Sequence, residues 1–202
     1  METIKKLLKG YAYFNEHKND ADMQALSQGQ EPKTMIIACS DSRVDPAILL
    51  HSELGEIFMV RNVANIVPPY QNDQHCHGTS TALEYAVRHL KVKHIIIMGH
   101  SQCGGINAMK HGCEGSDFIE SWVNAVKPSG NLPDSVDECA KAILHQSHQN
   151  CLTFPWIKSG VDDRTLVIHR WFFDLSEGII TWYNQKEDAF VPLSEDILQS
   201  LT

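Results

Sequence analysis

No stretch of this 202-residue chain is apolar for long enough to cross a membrane. The most apolar runs, such as Ile95–Met98, fall far short of the roughly 20 residues that a spanning helix needs. There is no block of Lys or Arg either. With 17 basic residues against 25 acidic ones and a formal charge of −8, binding to nucleic acid by phosphate neutralisation is not expected. The opening residues, Met1-Glu2-Thr3-Ile4-Lys5-Lys6, lack the apolar core of a signal peptide, so a cytoplasmic location and no membrane partner are expected. Internal repeats, low-complexity tracts and Gly/Ser/Pro linkers are absent, which points to a single domain over residues 1–202. Only 12 Gly and 8 Pro accompany 43% hydrophobic and 21% charged residues, a balance that excludes fibrous and disordered chains.

What the chain does hold is six cysteines and eleven histidines. The cysteines are Cys39, Cys76, Cys103, Cys113, Cys139 and Cys151, spread over a chain well beyond the size of disulfide-stapled miniproteins. Metal-binding or catalytic use of one or two of them is the better reading. A redox role lacks its Cys-x-x-Cys pair.

Periodicity supplies the scaffold. Ile4, Leu7, Leu8, Tyr11 and Phe14 recur at helical spacing behind Thr3, a candidate cap. A polar stretch, Asn19 to Lys33, separates them from Met35-Ile36-Ile37-Ala38-Cys39, which reads as a buried strand. Pro46 suits the first turn of a helix through Leu50, with Asp45 as its cap. Residues Glu56–Val60 and His94–Gly99 read as further strands, and His77–Leu90, Phe118–Val126 and Val136–Leu144 as helices. Leu166–Phe173 and Ile179–Tyr183, joined by Ser176-Glu177-Gly178, read as a hairpin with a potential edge strand. Near-continuous apolar strands separated by helices imply an α/β fold with a mostly parallel sheet covered on both faces. Ligands in such sheets collect beyond the carboxyl ends of the strands.

Two of those ends carry unusual residues. The first strand runs into Cys39-Ser40-Asp41-Ser42-Arg43, where Cys39 and Asp41, two apart, can face one side. The third runs into Gly99-His100-Ser101-Gln102-Cys103-Gly104-Gly105, where His100 and Cys103 can converge and the glycines allow backbone N–H groups close to a bound oxygen. Two thiolates, an imidazole and a carboxylate make a tetrahedral set whose soft ligands favour zinc. These residue types leave structural and catalytic zinc equally open, because four protein ligands close a site.

The segments Ala38–Val44, Val60-Arg61-Asn62-Val63-Ala64-Asn65 and Gly99–Gly105, in that order, resemble the β-class carbonic anhydrases, and the resemblance runs from about Gln30 to Tyr183. It implies one zinc per subunit on Cys39, His100 and Cys103, with water in the fourth position, or Asp41 in the closed form. It implies reversible hydration of carbon dioxide to bicarbonate and a proton. Zinc lowers the pKa of bound water to about 7, which makes hydroxide available at neutral pH. Asp41 and Arg43 form the family's dyad, Arg43 holding the carboxylate off the metal. Matching to the plant-like subgroup puts the Gln30 amide and the Gly104 N–H beside the substrate, with Phe58, Val63 and Tyr85 on the pocket wall. Tyr85 aligns only with a one-residue insertion. For Phe58 and Val63, pocket wall and core packing both remain open.

The resemblance further implies a helical arm over 1–30, a zinc-binding α/β core over 35–110, and a helical segment with the C-terminal hairpin over 111–202. It implies self-association as a dimer or higher even oligomer. Two departures stand out. Ile36, Ala38 and Phe173 occupy positions where another subgroup builds a bicarbonate-inhibition triad of Trp, Gly and Tyr, so that regulation is expected to be absent. Arg170 replaces the Gly of the usual His-Gly-Trp. His75, Cys76 and His77 read as a loop and helix start rather than a second metal site or relay, and Cys113, Cys139 and Cys151 as packing residues. Two other functions fit the same zinc residues: hydrolysis of carbonyl sulfide or carbon disulfide, and a structural zinc in a scaffold protein.

Overall fold

The computed structural model of the chain describes residues 2–73, 75–128 and 131–194, and it divides into two compact units, Met1–Glu31 and Pro32–Thr202. The first unit holds two helices, α1 (Glu2–His17) and α2 (Asp20–Leu26). Helix α1 already includes Thr3, so Thr3 lies inside the helix and does not cap it. Helix α2 falls in the stretch read as merely polar. Asn19 caps it by accepting from the Ala21 N–H, a start signal that the missing apolar stripe obscured.

The second unit is an α/β layer structure. Its elements are β1 (Thr34–Cys39), α3 (Pro46–Leu49), β2 (Ile57–Asn62), α4 (Gly78–Glu84), β3 (His94–His100), α5 (Gly104–His111), α6 (Ile119–Asn124), α7 (Val136–Cys151), α8 (Pro155–Asp162), β4 (Val167–Asp174), β5 (Ile179–Asn184) and β6 (Ala189–Pro192). The strands form one sheet in the order β2-β1-β3-β4-β5-β6. The first four are parallel, and β5 and β6 are antiparallel additions. Strands β1 and β3 sit at the centre of the parallel part, which is why their apolar runs are almost wholly buried. They pair from Thr34↔His94 to Ala38↔Met98, so Cys39 and His100 emerge at the same end of the sheet.

One face of the sheet packs into a core that includes Met35, Ile37, Ile95, Ile97, Ile106, Ile143, Leu144 and Ile157. The other face carries Ile36, Ala38, Val44, Ile96, Met98 and Phe173, so the three positions matched to the inhibition triad share one apolar cluster. The expected hairpin is present, β4 pairing antiparallel with β5 from Trp171↔Trp182 to Asp174↔Ile179. The expected edge position of its second strand needs correction: β5 is covered by β6, a four-residue strand ending at Pro192 that is too short to register by alternation. Helix α8, with Pro155 in its first turn, and the second half of α7 were likewise not expected.

Arg170 sits on β4 with its guanidinium 3.7 Å from the centre of the Tyr183 ring, and it donates to Nδ1 of His145 on α7. Two histidines on this framework are held neutral. Burial, and then the Arg170 charge, lower His148 from its ordinary 6.5 to about 4, and burial and the neighbouring His94 do the same to His169. Both bind their proton less tightly in the fold than in the unfolded chain, so stability must rise with pH between about 4 and 6.5. Urea midpoints are therefore expected to drop as the pH is lowered through that window. His169→Gln should flatten the drop, and midpoints that ignore pH there would contradict this.

Candidate metal centre

Strand β1 ends at Cys39 and strand β3 at His100, while Cys103 stands immediately before α5. Among the described residues these three form the one group of His, Cys and carboxylate donors able to hold a metal, and all three are buried. Their donor atoms lie within 4.8 Å of one another. The two sulfurs are 3.9 Å apart, close to the roughly 3.8 Å expected for two thiolates on a tetrahedral zinc.

The imidazole is oriented by its back side. His100 Nδ1 lies 2.8 Å from the Ser101 carbonyl, which can only accept, so Nδ1 carries the hydrogen and Nε2 presents a bare lone pair. That Nε2 is fully buried and has no hydrogen-bond partner. Buried polar atoms are rarely left so, and a metal would satisfy this one. The sulfurs tell the same story. Cys39 is driven towards thiolate chiefly by the hydrogen bond from Cys103, whose own proton is held in place by that thiolate and by burial. Both can ionise only against a cation. The donor set therefore fits zinc.

Beside it, Arg43 grips Asp41 with two parallel hydrogen bonds, Nε to Oδ1 at 2.9 Å and an NH2 nitrogen to Oδ2 at 2.8 Å. The Arg43 backbone N–H adds a third at 3.0 Å. This clamp holds the Asp41 carboxyl far below the usual carboxylate range. Oδ2 lies 3.9 Å from His100 Nε2, so the expected convergence of Cys39 and Asp41 with the second motif is present in the geometry.

The residues expected around a substrate are placed less tightly. Phe58, half-buried on β2, and Tyr85, 46% exposed, have ring centres 5.7 Å apart. Tyr85 opens a π-helical turn, Tyr85–Leu90, that continues α4. Val63 is 40% exposed and stands in the turn Val63–Asn65, where Ala64 and Asn65 are left-handed. Gly104 is the first residue of α5, and a Cβ there would meet open space. The steric need for glycine is at Gly105, where a Cβ would come within 2.6 Å of Val63 Cγ1 and 3.0 Å of the Ala64 Cβ. Gln30 belongs to the first unit, exposed in irregular chain. His75, Cys76 and His77 are not gathered into a donor group; His77 Nε2 donates to Asp73 Oδ1 at 2.7 Å. Cys139 and Cys151 are buried and Cys113 is half-buried.

Arg61 organises this corner, and spacing did not reveal it. Its Nε donates to the Cys39 carbonyl at 2.9 Å, one NH2 nitrogen to the Asp41 and Val44 carbonyls at 2.7 and 2.8 Å, and NH1 to Asp45 Oδ2 at 3.0 Å. Asp45 in turn caps α3 by accepting from the Ala47 N–H. One guanidinium thus staples the whole turn between Cys39 and Val44. The available signal was a charge inside an apolar strand, which must find partners. Arg61→Met is expected to lower stability in urea by about 2–3 kcal/mol, since several acceptors lose a charged donor. A change below about 0.5 kcal/mol would contradict the staple.

Residues 34–180 match the family profile described as carbonic anhydrase. A protein of Arabidopsis thaliana, "Beta carbonic anhydrase 3", is 32% identical over 196 residues, covering 88% of this chain and 76% of its own length. Among solved structures, the β-carbonic anhydrase CcaA superposes with a TM-score of 0.86 at 28% identity, over 96% of this chain and 94% of its own. One of two tetrameric β-carbonic anhydrases from the filamentous ascomycete Sordaria macrospora gives 0.78 at 27% identity, over 96% and 100%. With a six-stranded α/β sheet and a buried Cys-His-Cys group at its carboxyl edge, the chain belongs to the carbonic anhydrase family, in its β class.

Proposed function

We propose that the protein interconverts carbon dioxide and bicarbonate with one zinc per subunit held by Cys39, His100 and Cys103. The observation that carries this reading is the buried, unpartnered Nε2 of His100, which faces two sulfurs 3.9 Å apart beside a clamped carboxylate. When bound, zinc is a Lewis acid that makes hydroxide available at neutral pH.

The chain's own residues supply the rest. Asp41 accepts a hydrogen bond from the attacking water through Oδ2, the carboxylate oxygen within 3.9 Å of His100 Nε2. Arg43 keeps that carboxylate ionised and turned towards itself, so that it is free to orient water. Water adds to the carbon of carbon dioxide, giving bicarbonate, and the released proton leaves to solvent. The Gly104 N–H, at the N-terminus of α5, is suited to receive a substrate oxygen. Phe58, Tyr85 and Val63 provide the apolar wall that a small apolar substrate needs. The Gln30 amide is proposed as a further donor on the strength of the resemblance alone.

Self-association belongs to the same proposal. Helix α1 leaves Ile4, Leu7, Leu8 and Tyr11 about 60% exposed, an apolar stripe suited to another copy of the chain, as a dimer or higher even oligomer. Six unpaired cysteines suit the reducing cytoplasm.

Stopped-flow hydration tests the activity. Zinc-loaded wild type is expected to hydrate carbon dioxide. Asp41→Ala should keep its zinc and lose about 10²–10⁴-fold in kcat/KM, the usual share of a positioned acid–base group. A zinc-loaded wild type that is inert towards carbon dioxide would overturn the proposal, as would one that hydrolyses only carbonyl sulfide or carbon disulfide.

A further inference from the structure

The loop from His100 to Cys103 has one residue whose conformation the core does not dictate. Ser101 is buried and triply tied: its N–H donates to Phe173 O at 2.9 Å, its Oγ accepts from the Leu175 N–H at 2.8 Å, and its carbonyl takes the His100 hydrogen. Cys103 is buried at the start of α5. Between them Gln102 is exposed and left-handed, with φ of +54°, although it is not glycine. Such a conformation is unfavourable for a side-chain-bearing residue and persists only where neighbours hold it.

Its holders are two side chains. Arg43, already bound to Asp41, donates to the Gln102 carbonyl at 3.3 Å. The Gln102 N–H donates to Asp137 Oδ1 at 2.7 Å. Asp137 comes from the first turn of α7, a 16-residue helix capped by Ser135 and seated in the core through Cys139, Ala140, Ile143 and Leu144. It is thus a fixed acceptor on a rigid element, reaching one of the two residues that separate the proposed ligands His100 and Cys103. A cavity of about 480 Å³, lined by Gln102, Gly104, Asn107, Ser135, Val136 and Asp137, runs along this contact. Water can therefore reach the Gln102 N–H if the carboxylate is removed, so the loss falls on loop geometry rather than on an orphaned donor.

We propose that Asp137 is a positioning residue for the metal centre: by holding Gln102 in its left-handed conformation it sets where Cys103 and Arg43 sit. This rests on the zinc reading of Cys39, His100 and Cys103.

Asp137 also places a negative charge at the start of α7, as does its neighbour Glu138, and the test separates the two roles. Zinc transfer from the loaded enzyme to a chromogenic chelator is measured for wild type, Asp137→Ala, Asp137→Asn and Glu138→Gln. Asp137→Ala should release zinc about 10-fold faster, the lower end of what supporting partners of ligands contribute. Asp137→Asn keeps an acceptor oxygen, and Glu138→Gln removes only helix charge; both should stay within about 2-fold of wild type by the same scale. Release from Asp137→Ala at the wild-type rate, or from Asp137→Asn as fast as from Asp137→Ala, overturns the proposal. So does an equal acceleration in Glu138→Gln. Amide exchange in the wild type needs no variant: the Gln102 N–H should be protected despite its exposed position, and free exchange there overturns the proposal too. A wild type that retains no zinc would instead bring down the reading of the site, leaving the Gln102 amide to decide the role of Asp137.

Discussion

Burying two sulfurs and a bare imidazole nitrogen together is the constraint on which this structure depends. Cys39 and Cys103 are 5% and 1% exposed and His100 is wholly buried, so none can turn to water for its missing partner. Without a cation the two sulfurs can share only one proton, because two thiolates at 3.9 Å would repel each other, and the unpartnered Nε2 adds a further electron pair aimed at the same point. A divalent cation would resolve all three costs at once.

The surrounding contacts make sense as means of holding that arrangement. Parallel pairing of β1 with β3 brings the two strand ends level, while β4 fixes Ser101 and hence the tautomer of His100. Arg61 binds the turn that carries Asp41 from behind, leaving the Asp41 carboxylate to Arg43 in front. Gly105 lets the left-handed turn at Ala64 lie against the start of α5. Each contact is a separate hydrogen bond or packing restraint, yet all converge on three donor atoms and one carboxylate.

Most of this centre was legible before any coordinates. Cys39, Asp41, His100 and Cys103 sit at or just beyond two strand ends, where local pattern and chain direction brought them together, while the pairing of Arg43 with Asp41 came from the resemblance. The central strands were equally plain, because β1 and β3 are buried on both faces and read as unbroken apolar runs. The misses have a common cause. Helix α2 is held by an Asn19 cap with no apolar stripe, and β6 is four residues long, so neither leaves a periodic trace. Arg61 and Asp137 act on backbone groups 17–35 residues away, or across adjacent strands, and side-chain-to-backbone bonds of that range leave no spacing rule to read. Arg170 was noticed as an oddity, but its place over the Tyr183 ring and against His145 depends on β5 and α7 meeting across β4.

X-ray absorption at the zinc edge of the purified, zinc-loaded protein tests the central claim most directly. The account predicts two sulfur donors and one imidazole, with the remaining position filled by a light atom. A shell without sulfur, a shell of four sulfurs, or one lacking the imidazole signature would contradict it.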